Sequence, residues 1–188
     1  TVVLPTGEVV KLGATVSKTS TGYSLINVMI GSEGTLGIIT ELTLKLIPAP
    51  KKTVSLIVPY ENLDDCISTV PQIFLNHLNP QAVEFMEKEI VLASERYIGR
   101  AVYPKEVEGV DVGAYLLLTF DGEEKEQLEA ITEKAAEVVL ECGAVDVLVA
   151  DTPTKKKDAW AARSSFLEAI EAETKLLDEC DVVVPVNQ

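Results

Sequence analysis

The chain has 188 residues, of which 47% are hydrophobic, so it is long enough to bury a core as one domain or two small ones. Its net charge of −14, from 30 acidic against 16 basic residues, argues against nucleic acid and anionic membrane surfaces as partners. No apolar run approaches the roughly 20 residues of a membrane helix, so membrane insertion is not expected. Cys66, Cys142 and Cys180 are far apart, which favours free thiols in a reducing, cytoplasmic compartment over disulfides, zinc or an iron–sulfur cluster.

The chain begins with a pattern typical of β structure. Two short apolar segments, residues 1–4 and 8–12, flank a proline-glycine turn at residues 5–7, which predicts a β-hairpin. Residues 13–21 are rich in Gly, Ser and Thr and are predicted to form a loop.

A strand and then a stiff linker are predicted next. Regular alternation of apolar and polar residues over 38–47 predicts the strand. Two prolines within residues 48–52 predict the linker, because proline fixes φ and cannot continue a ladder. We therefore expect one domain over residues 1–50 and a second over residues 51–188.

Strands and helices alternate beyond the linker. The predicted strands are residues 53–58, 82–85, 114–120, 144–150 and 181–184. The predicted helices are residues 62–78, 87–98, 123–141 and 153–177, and residues 99–113 are predicted to form a loop. This order predicts an α+β, ferredoxin-like domain with helices on one face of an antiparallel sheet. The nearly continuous apolar run 114–120 predicts a central strand covered on both faces.

Several residues are expected to shape the helix ends. Asn62 and Asp121 are predicted N-caps, and Pro153 is predicted at the first position of its helix. Pro71 lies inside a helical pattern, where proline kinks or splits a helix. His77, the only histidine, lies near a predicted helix end, which favours a capping role and rules out a multi-histidine metal site in this sequence.

The most distinctive stretch is a glycine-rich segment. Gly31, Gly34 and Gly37 are spaced by three, with Ser32 and Thr35 between them. Glycine allows positive φ and close approach of a ligand, so such a turn presents N–H groups and hydroxyls to a phosphate- or carbonyl-bearing ligand. The alternative is a tight turn that leads into a strand.

A longer string around these glycines resembles a known family. Residues 22–25 (GYSL) and 31–48 (GSEGTLGIITELTLKLIP) are similar to the end of the FAD-binding domain of vanillyl-alcohol-oxidase-type FAD-linked oxidases. The resemblance is closest to the glycolate oxidase D subunit and the FAD-dependent D-lactate and D-2-hydroxyacid dehydrogenases. Ser24 departs from the pattern, since the family usually has Asp there. In this family the segment lies along FAD, which implies the following cofactor-binding residues: Glu33, Gly34, Thr35, Leu36, Gly37, Ile38 and Ile39.

The resemblance also implies what the chain is a part of. Residues 1–50 correspond to the end of an FAD-binding domain, and residues 51–188 to a truncated FAD-linked oxidase C-terminal, or cap, domain. The family's pyrophosphate loop would precede Thr1, and its catalytic and metal-binding histidines would follow Gln188. We therefore expect an internal fragment that is inactive and does not hold FAD by itself, and we assign it no catalytic residue and no metal ligand. The parent would oxidise glycolate or lactate by hydride transfer to flavin and pass electrons to a partner subunit or carrier.

Arg163 is the candidate substrate-binding residue. An arginine fork matches a carboxylate bidentately, as a 2-hydroxyacid requires. The resemblance implies this role, because several family members have Trp-x-x-Arg in the cap domain, matched here by Trp160 and Arg163. The alternative is a surface arginine paired with Glu168 or Glu171. Residues 178–181 are acidic where the 2-hydroxyglutarate branch has a lysine, which argues against a dicarboxylate substrate.

Other interpretations stay open at this point. The lysine run 155–157 suits either a solvated face, which we favour, or docking of an acidic electron-transfer partner. Trp160 and the tyrosines are expected in the core or at its rim. The segment as a whole could instead be a non-catalytic binding module, or part of an alkyl-dihydroxyacetone-phosphate-synthase-like flavoenzyme.

Overall fold

The computed structural model describes residues 1–16 and 18–185, so residue 17 of the predicted first loop lies outside the described residues. The chain divides into two compact units, Thr1–Pro48 and Ala49–Gln188. None of the described helices combines the length and apolar composition that crossing a bilayer requires.

The first unit is built on a small antiparallel sheet. Its strands are β1 (Val2–Val3), β2 (Val9–Val10) and β3 (Ile38–Ile39), in the order β2-β1-β3, with one short helix, α1 (Leu25–Met29). The predicted hairpin is confirmed as the β1–β2 pair, although its strands are shorter than expected.

The strand predicted over residues 38–47 is wrong beyond Ile39. The N–H groups of Thr40 and Glu41 still donate to the Thr1 carbonyl, and the Thr1 ammonium donates to the Glu41 carbonyl at 2.9 Å. Strand β1 runs antiparallel to β3, with Val2 opposite Ile39 and Val3 opposite Ile38. No strand in the described part of the chain pairs with residues 42–46, and the alternating leucines at 42, 44 and 46 are exposed instead of buried.

The second unit contains a four-stranded antiparallel sheet in the order β5-β8-β4-β9. Its strands are β4 (Lys52–Tyr60), β5 (Ala82–Glu87), β8 (Ala114–Gly122) and β9 (Leu148–Ala150). Its helices are α2 (Leu63–Leu75), α3 (Lys88–Ile98), α4 (Lys125–Glu141), α5 (Pro153–Ser164) and α6 (Phe166–Glu173). The strands of the two units β4-α2-β5 and β8-α4-β9 alternate across the sheet. This arrangement confirms the predicted α+β, ferredoxin-like fold.

Both faces of this sheet are covered. Helices α2 and α4 pack on one face, as predicted, against alternate residues of the two central strands such as Leu56, Leu116 and Leu118. The opposite residues, including Ile57 and Leu117, lie under α3 and α5, so helices cover both faces of the sheet, whereas they were expected on one face. Strand β8 is therefore central and buried on both faces, as its apolar run predicted.

Helix boundaries follow local capping chemistry. Asn62 caps α2 by accepting from the Asp65 N–H at 2.9 Å, which confirms that prediction, and α2 continues unbroken through Pro71. Asp121 is not a cap, because β8 extends to Gly122; α4 is instead preceded by Glu124, whose N–H donates to the Gln127 side chain.

The single helix predicted over 153–177 is two helices, broken at Ser165. The Ser165 hydroxyl bonds to the Ala162 carbonyl at 3.2 Å and to the Ser94 hydroxyl at 2.9 Å, so its side chain takes over part of the hydrogen bonding of the last turn of α5. The strand predicted over 181–184 is also wrong: residues 174–185 form neither helix nor strand, and Val183 is 96% exposed.

The predicted loop 99–113 contains a small hairpin that was not expected. Its strands are β6 (Glu106–Val107) and β7 (Val110–Asp111). Glu108 and Gly109, between them, have φ of 51° and 83°, as a two-residue hairpin turn requires.

His77 caps α2 through its backbone. It has φ of 58°, its N–H donates to the Phe74 carbonyl at 3.0 Å, and the Leu78 N–H donates to the Ile73 carbonyl at 3.1 Å. This is a Schellman motif with histidine in the left-handed position that glycine usually occupies. The predicted capping role is confirmed, although the exposed imidazole takes no part in it.

Replacing His77 with glycine is expected to raise the free energy of unfolding by about 0.5–1 kcal/mol, because glycine adopts a left-handed φ without a Cβ clash. Urea unfolding followed by circular dichroism measures the change. His77→Ala is the matched control, since it keeps the Cβ and should bring no gain. Equal stabilisation by both variants would contradict the prediction.

Candidate functional site

The glycine-rich segment forms an exposed turn. Gly31, Glu33 and Gly34 have φ of 77°, 49° and 78°, which glycine tolerates and Glu33 adopts at some cost. Thr35 closes the turn on the Ser32 carbonyl through both its N–H, at 2.9 Å, and its hydroxyl, at 2.6 Å. The Thr35 hydroxyl proton is therefore used within the turn and is not offered to a ligand.

Gly37 differs from its neighbours because it is buried. A Cβ at this position would lie 2.7 Å from Val2 Cγ1 and 2.9 Å from the Val3 carbonyl oxygen. Glycine is needed here for packing against β1, whatever the segment binds.

The remaining residues of the segment fit a ligand with both polar and ring-like parts, as FAD has. Within the described chain, the N–H groups of Gly34 and Leu36 have no hydrogen-bond acceptor. The side chains of Leu36, Ile38 and Ile39 are exposed beside them. A groove of about 410 Å³ in this unit is lined by Ile39 but by none of the other six predicted cofactor-binding residues. FAD binding by Glu33–Ile39 therefore stays a prediction, with donors and apolar surface available for it.

Arg163 lies in the last turn of α5 and pairs with Glu84 on β5. Its Nε donates to Glu84 Oε2 at 2.9 Å, its Nη2 lies 2.8 Å from the same oxygen in an ion pair, and its guanidinium lies 5.9 Å from the centre of the Phe166 ring. The alternative partners considered from the sequence, Glu168 and Glu171, are wrong; the partner is 79 residues away. The Arg163 side chain is 40% exposed, so the guanidinium is reachable from solvent.

Helix α5, which carries Arg163, is held in place by hydrogen bonds from buried hydroxyl groups. The Tyr103 hydroxyl donates to the Ala159 carbonyl at 3.1 Å, the Ser94 hydroxyl donates to the Ala162 carbonyl, and the Tyr115 hydroxyl donates to the Pro104 carbonyl at 2.7 Å. Burial raises the pKa of both tyrosines well above the usual range, so both phenols stay protonated and remain donors. Arg163 therefore lies on a helix whose position is fixed by these hydrogen bonds.

A groove of about 530 Å³, here called the α5 groove, runs along the same helix. Its lining includes Thr53, Ser55, Gln81, Thr119, Lys156 and Trp160. The Ser55 and Thr119 hydroxyls are buried and lie 2.8 Å apart, and Lys156 Nζ donates to the Thr53 carbonyl at 2.9 Å. Trp160 lies half-buried at the rim, as expected.

The lysine run does not behave as one solvated face. Lys155 pairs with Asp151 at 3.4 Å and Lys157 is exposed, as a solvated face predicts. Lys156 instead turns toward β4, which the sequence interpretation missed. Glu84 was also missed, although one signal was available: in a strand with period two it shares its face with the buried Met86, an unusual place for a lone carboxylate.

Comparison with known proteins identifies the family. Residues 49–188 match the family described as FAD linked oxidases, C-terminal domain. Over 188 residues the chain is 74% identical to a D-lactate dehydrogenase of Anaerostipes hadrus, covering all of this chain and 40% of that protein. It is 32% identical over 179 residues to a D-lactate dehydrogenase of Archaeoglobus fulgidus, covering 95% of this chain and 38% of that protein. It is 34% identical over 171 residues to glycolate oxidase subunit GlcD of Bacillus subtilis, covering 90% and 34%.

A solved structure shares the fold. An alkyldihydroxyacetonephosphate synthase matches with a TM-score of 0.59 at 20% identity, covering 92% of this chain and 33% of that one. The chain thus spans about 40% or less of the length of the relatives described here. The family expected from the glycine-rich string is confirmed: the chain belongs to the FAD-linked oxidases, and residues 49–188 match their C-terminal domain.

Proposed function

We propose that this chain is part of an FAD-dependent oxidoreductase that oxidises a short 2-hydroxyacid, lactate or glycolate, to the 2-oxoacid. The observation that carries the proposal is Arg163, a reachable guanidinium held over the sheet of an FAD-linked oxidase domain. The relatives named D-lactate dehydrogenase and glycolate oxidase subunit support this substrate class.

Each part of the chain has a defined task in this proposal. Arg163 binds the substrate carboxylate and orients the Cα–H bond, because a guanidinium fixes a carboxylate in both position and plane. The segment Glu33–Ile39 contacts FAD through its backbone N–H groups and apolar side chains. Bound FAD would supply the hydride acceptor. No residue of this chain is assigned as the general base.

The proposal also includes an electron-accepting partner. Each turnover removes two electrons from the substrate. These electrons must pass to a further subunit or carrier before the next turnover can begin. The exposed lysines of the run, Lys155 and Lys157, are compatible with docking of an acidic carrier.

The test uses the natural full-length protein that contains this sequence. We expect it to purify with flavin absorbance, and we expect D-lactate, L-lactate or glycolate to bleach that absorbance under anaerobic conditions. 2-Hydroxyglutarate serves as the dicarboxylate comparison and should act poorly. A flavin-free protein, or a flavin that none of these acids reduces, would refute the proposal.

A further inference from the structure

We propose that Glu84 is a positioning residue for the carboxylate-binding guanidinium of Arg163. The inference rests on the proposed function, because it assigns Glu84 a role toward the same substrate. It concerns only residues of the second unit, and all the contacts that carry it lie between β5, α5 and the first residue of α6.

The atoms used by Glu84 determine which part of the arginine remains available. A guanidinium has five N–H donors in one plane. Glu84 Oε2 accepts a hydrogen bond from Nε and forms an ion pair with Nη2, so it occupies the side edge of the guanidinium. The end edge, formed by Nη1 and the outer proton of Nη2, is left for a second carboxylate. The Arg163–Glu84 pair therefore leaves a complete bidentate fork directed away from Glu84.

The guanidinium is held in two directions at once. Glu84 restrains its rotation within the plane, and its central carbon lies over the Phe166 ring, 5.9 Å from the ring centre, within the range of a cation–π attraction. Arginine has four rotatable side-chain bonds, and binding a substrate to a freely rotating arginine would require ordering all of them. With Glu84 in place, most of that order exists before the substrate arrives.

Glu84 is itself rigidly placed. It lies in the middle of β5, opposite Leu117 of the central strand β8, and shares its face with the buried Met86. Its side chain is 28% exposed, so solvent screens part of its repulsion toward an incoming carboxylate. Glu84 therefore has two opposing effects on substrate binding. It repels the substrate carboxylate, which solvent weakens, and it restrains the Arg163 side chain, which solvent does not weaken. We expect the restraint to dominate.

Glu84→Ala, Glu84→Gln and the matched control Glu87→Ala test the inference in the full-length protein. Glu87 lies on the same strand but on the opposite face, is exposed, and makes no capping hydrogen bond. We expect Glu84→Ala to raise KM for the 2-hydroxyacid about tenfold with kcat within about threefold of the parent. Glu84→Gln keeps an acceptor oxygen and should stay within about threefold in KM. Glu87→Ala should leave both constants unchanged.

A second readout does not depend on activity. The chain has only three arginines, Arg96, Arg100 and Arg163, so the Arg163 Nε–H signal in a nitrogen-15 NMR spectrum of the 188-residue chain is identified by its loss in Arg163→Lys. We expect Glu84→Ala to shift or broaden that signal and Glu87→Ala to leave it in place.

The outcomes separate the two proposals. An unchanged KM or an unchanged Arg163 signal in Glu84→Ala would overturn the positioning role. Equal losses in Glu84→Gln and Glu84→Ala would also overturn it, since the acceptor oxygen would then not matter. If Arg163→Ala itself leaves KM unchanged, the carboxylate-binding role of Arg163 fails, and the NMR signal still reports whether the Glu84 contact exists.

Discussion

Replacing Arg163 with alanine is expected to lower kcat/KM for the 2-hydroxyacid about a hundredfold, equivalent to roughly 2.7 kcal/mol of transition-state binding. The substrate loses two charge-assisted hydrogen bonds. The side chain is 40% exposed, so we expect the lower part of the range seen for buried charge pairs. A further loss comes from Glu84, whose carboxylate is then left unpaired and faces the substrate. The double variant Arg163→Ala/Glu84→Ala should therefore bind the substrate better than Arg163→Ala alone.

Arg96 supplies a closely matched control. It contacts Glu173 on α6 with the same two nitrogens, Nε at 3.0 Å and Nη2 at 2.6 Å, both to a single carboxylate oxygen. Arg96→Ala removes an equivalent ion pair on the α3–α6 surface and should change kcat/KM by less than about twofold. Steady-state dye reduction by the full-length protein measures both. If Arg163→Ala and Arg96→Ala have similar effects, Arg163 is not the carboxylate ligand.

Replacing Glu95 with alanine is expected to lower the free energy of unfolding by about 3 kcal/mol. Glu95 is only 6% exposed; its Oε1 accepts from the N–H groups of Val102 and Tyr103, each at 2.7 Å, and its Oε2 pairs with Lys105. Alanine would leave two inward-facing N–H groups without an acceptor and a lysine without its partner. Glu95→Gln keeps an oxygen for both N–H groups, so it should cost less, about 1–2 kcal/mol.

Urea unfolding of the 188-residue chain measures these changes. Glu171→Ala is the control: Glu171 is exposed on α6, and its removal should alter stability by at most about 0.5 kcal/mol. A loss below about 1 kcal/mol for Glu95→Ala would show that water replaces the carboxylate at this position. Because Tyr103 holds α5 through the Ala159 carbonyl, we also expect Glu95→Ala to raise KM.

The regular part of the fold was predictable because local chemistry and burial agree there. The run 114–120 is apolar on both sides of the strand, and that pattern has few solutions other than a central strand. Residues 40–47 alternate just as clearly, yet a strand also needs a neighbour to bond, and a sequence pattern does not reveal whether one is present. The break at Ser165 depends on its contact with Ser94, 71 residues earlier, so it could not be inferred from the helical pattern of 153–177.

The candidate site was predictable to a similar extent. A resemblance to a family can point to Arg163, because the motif that carries it is local. Glu84 is invisible to the same reasoning, since the contact depends on how β5 and α5 come together in space. The exposed turn at Glu33–Ile39 was partly predictable. Its glycine-rich sequence predicted unusual backbone angles, and the structure has them at Gly31 and Gly34. The need for Gly37, which packs against Val2 and Val3, could not be predicted.

The two members of the Arg163–Glu84 pair come from distant parts of the sequence but from the same compact unit, which begins at Ala49. In evolutionary terms, one gene segment encodes both residues, so the proposed binding of the acid group can be inherited as a unit. A recombination event at the proline linker would move arginine and glutamate together into a new parent. An event between β5 and α5 would separate them, leaving Glu84 unpaired on the sheet in one product and Arg163 unpaired on α5 in the other.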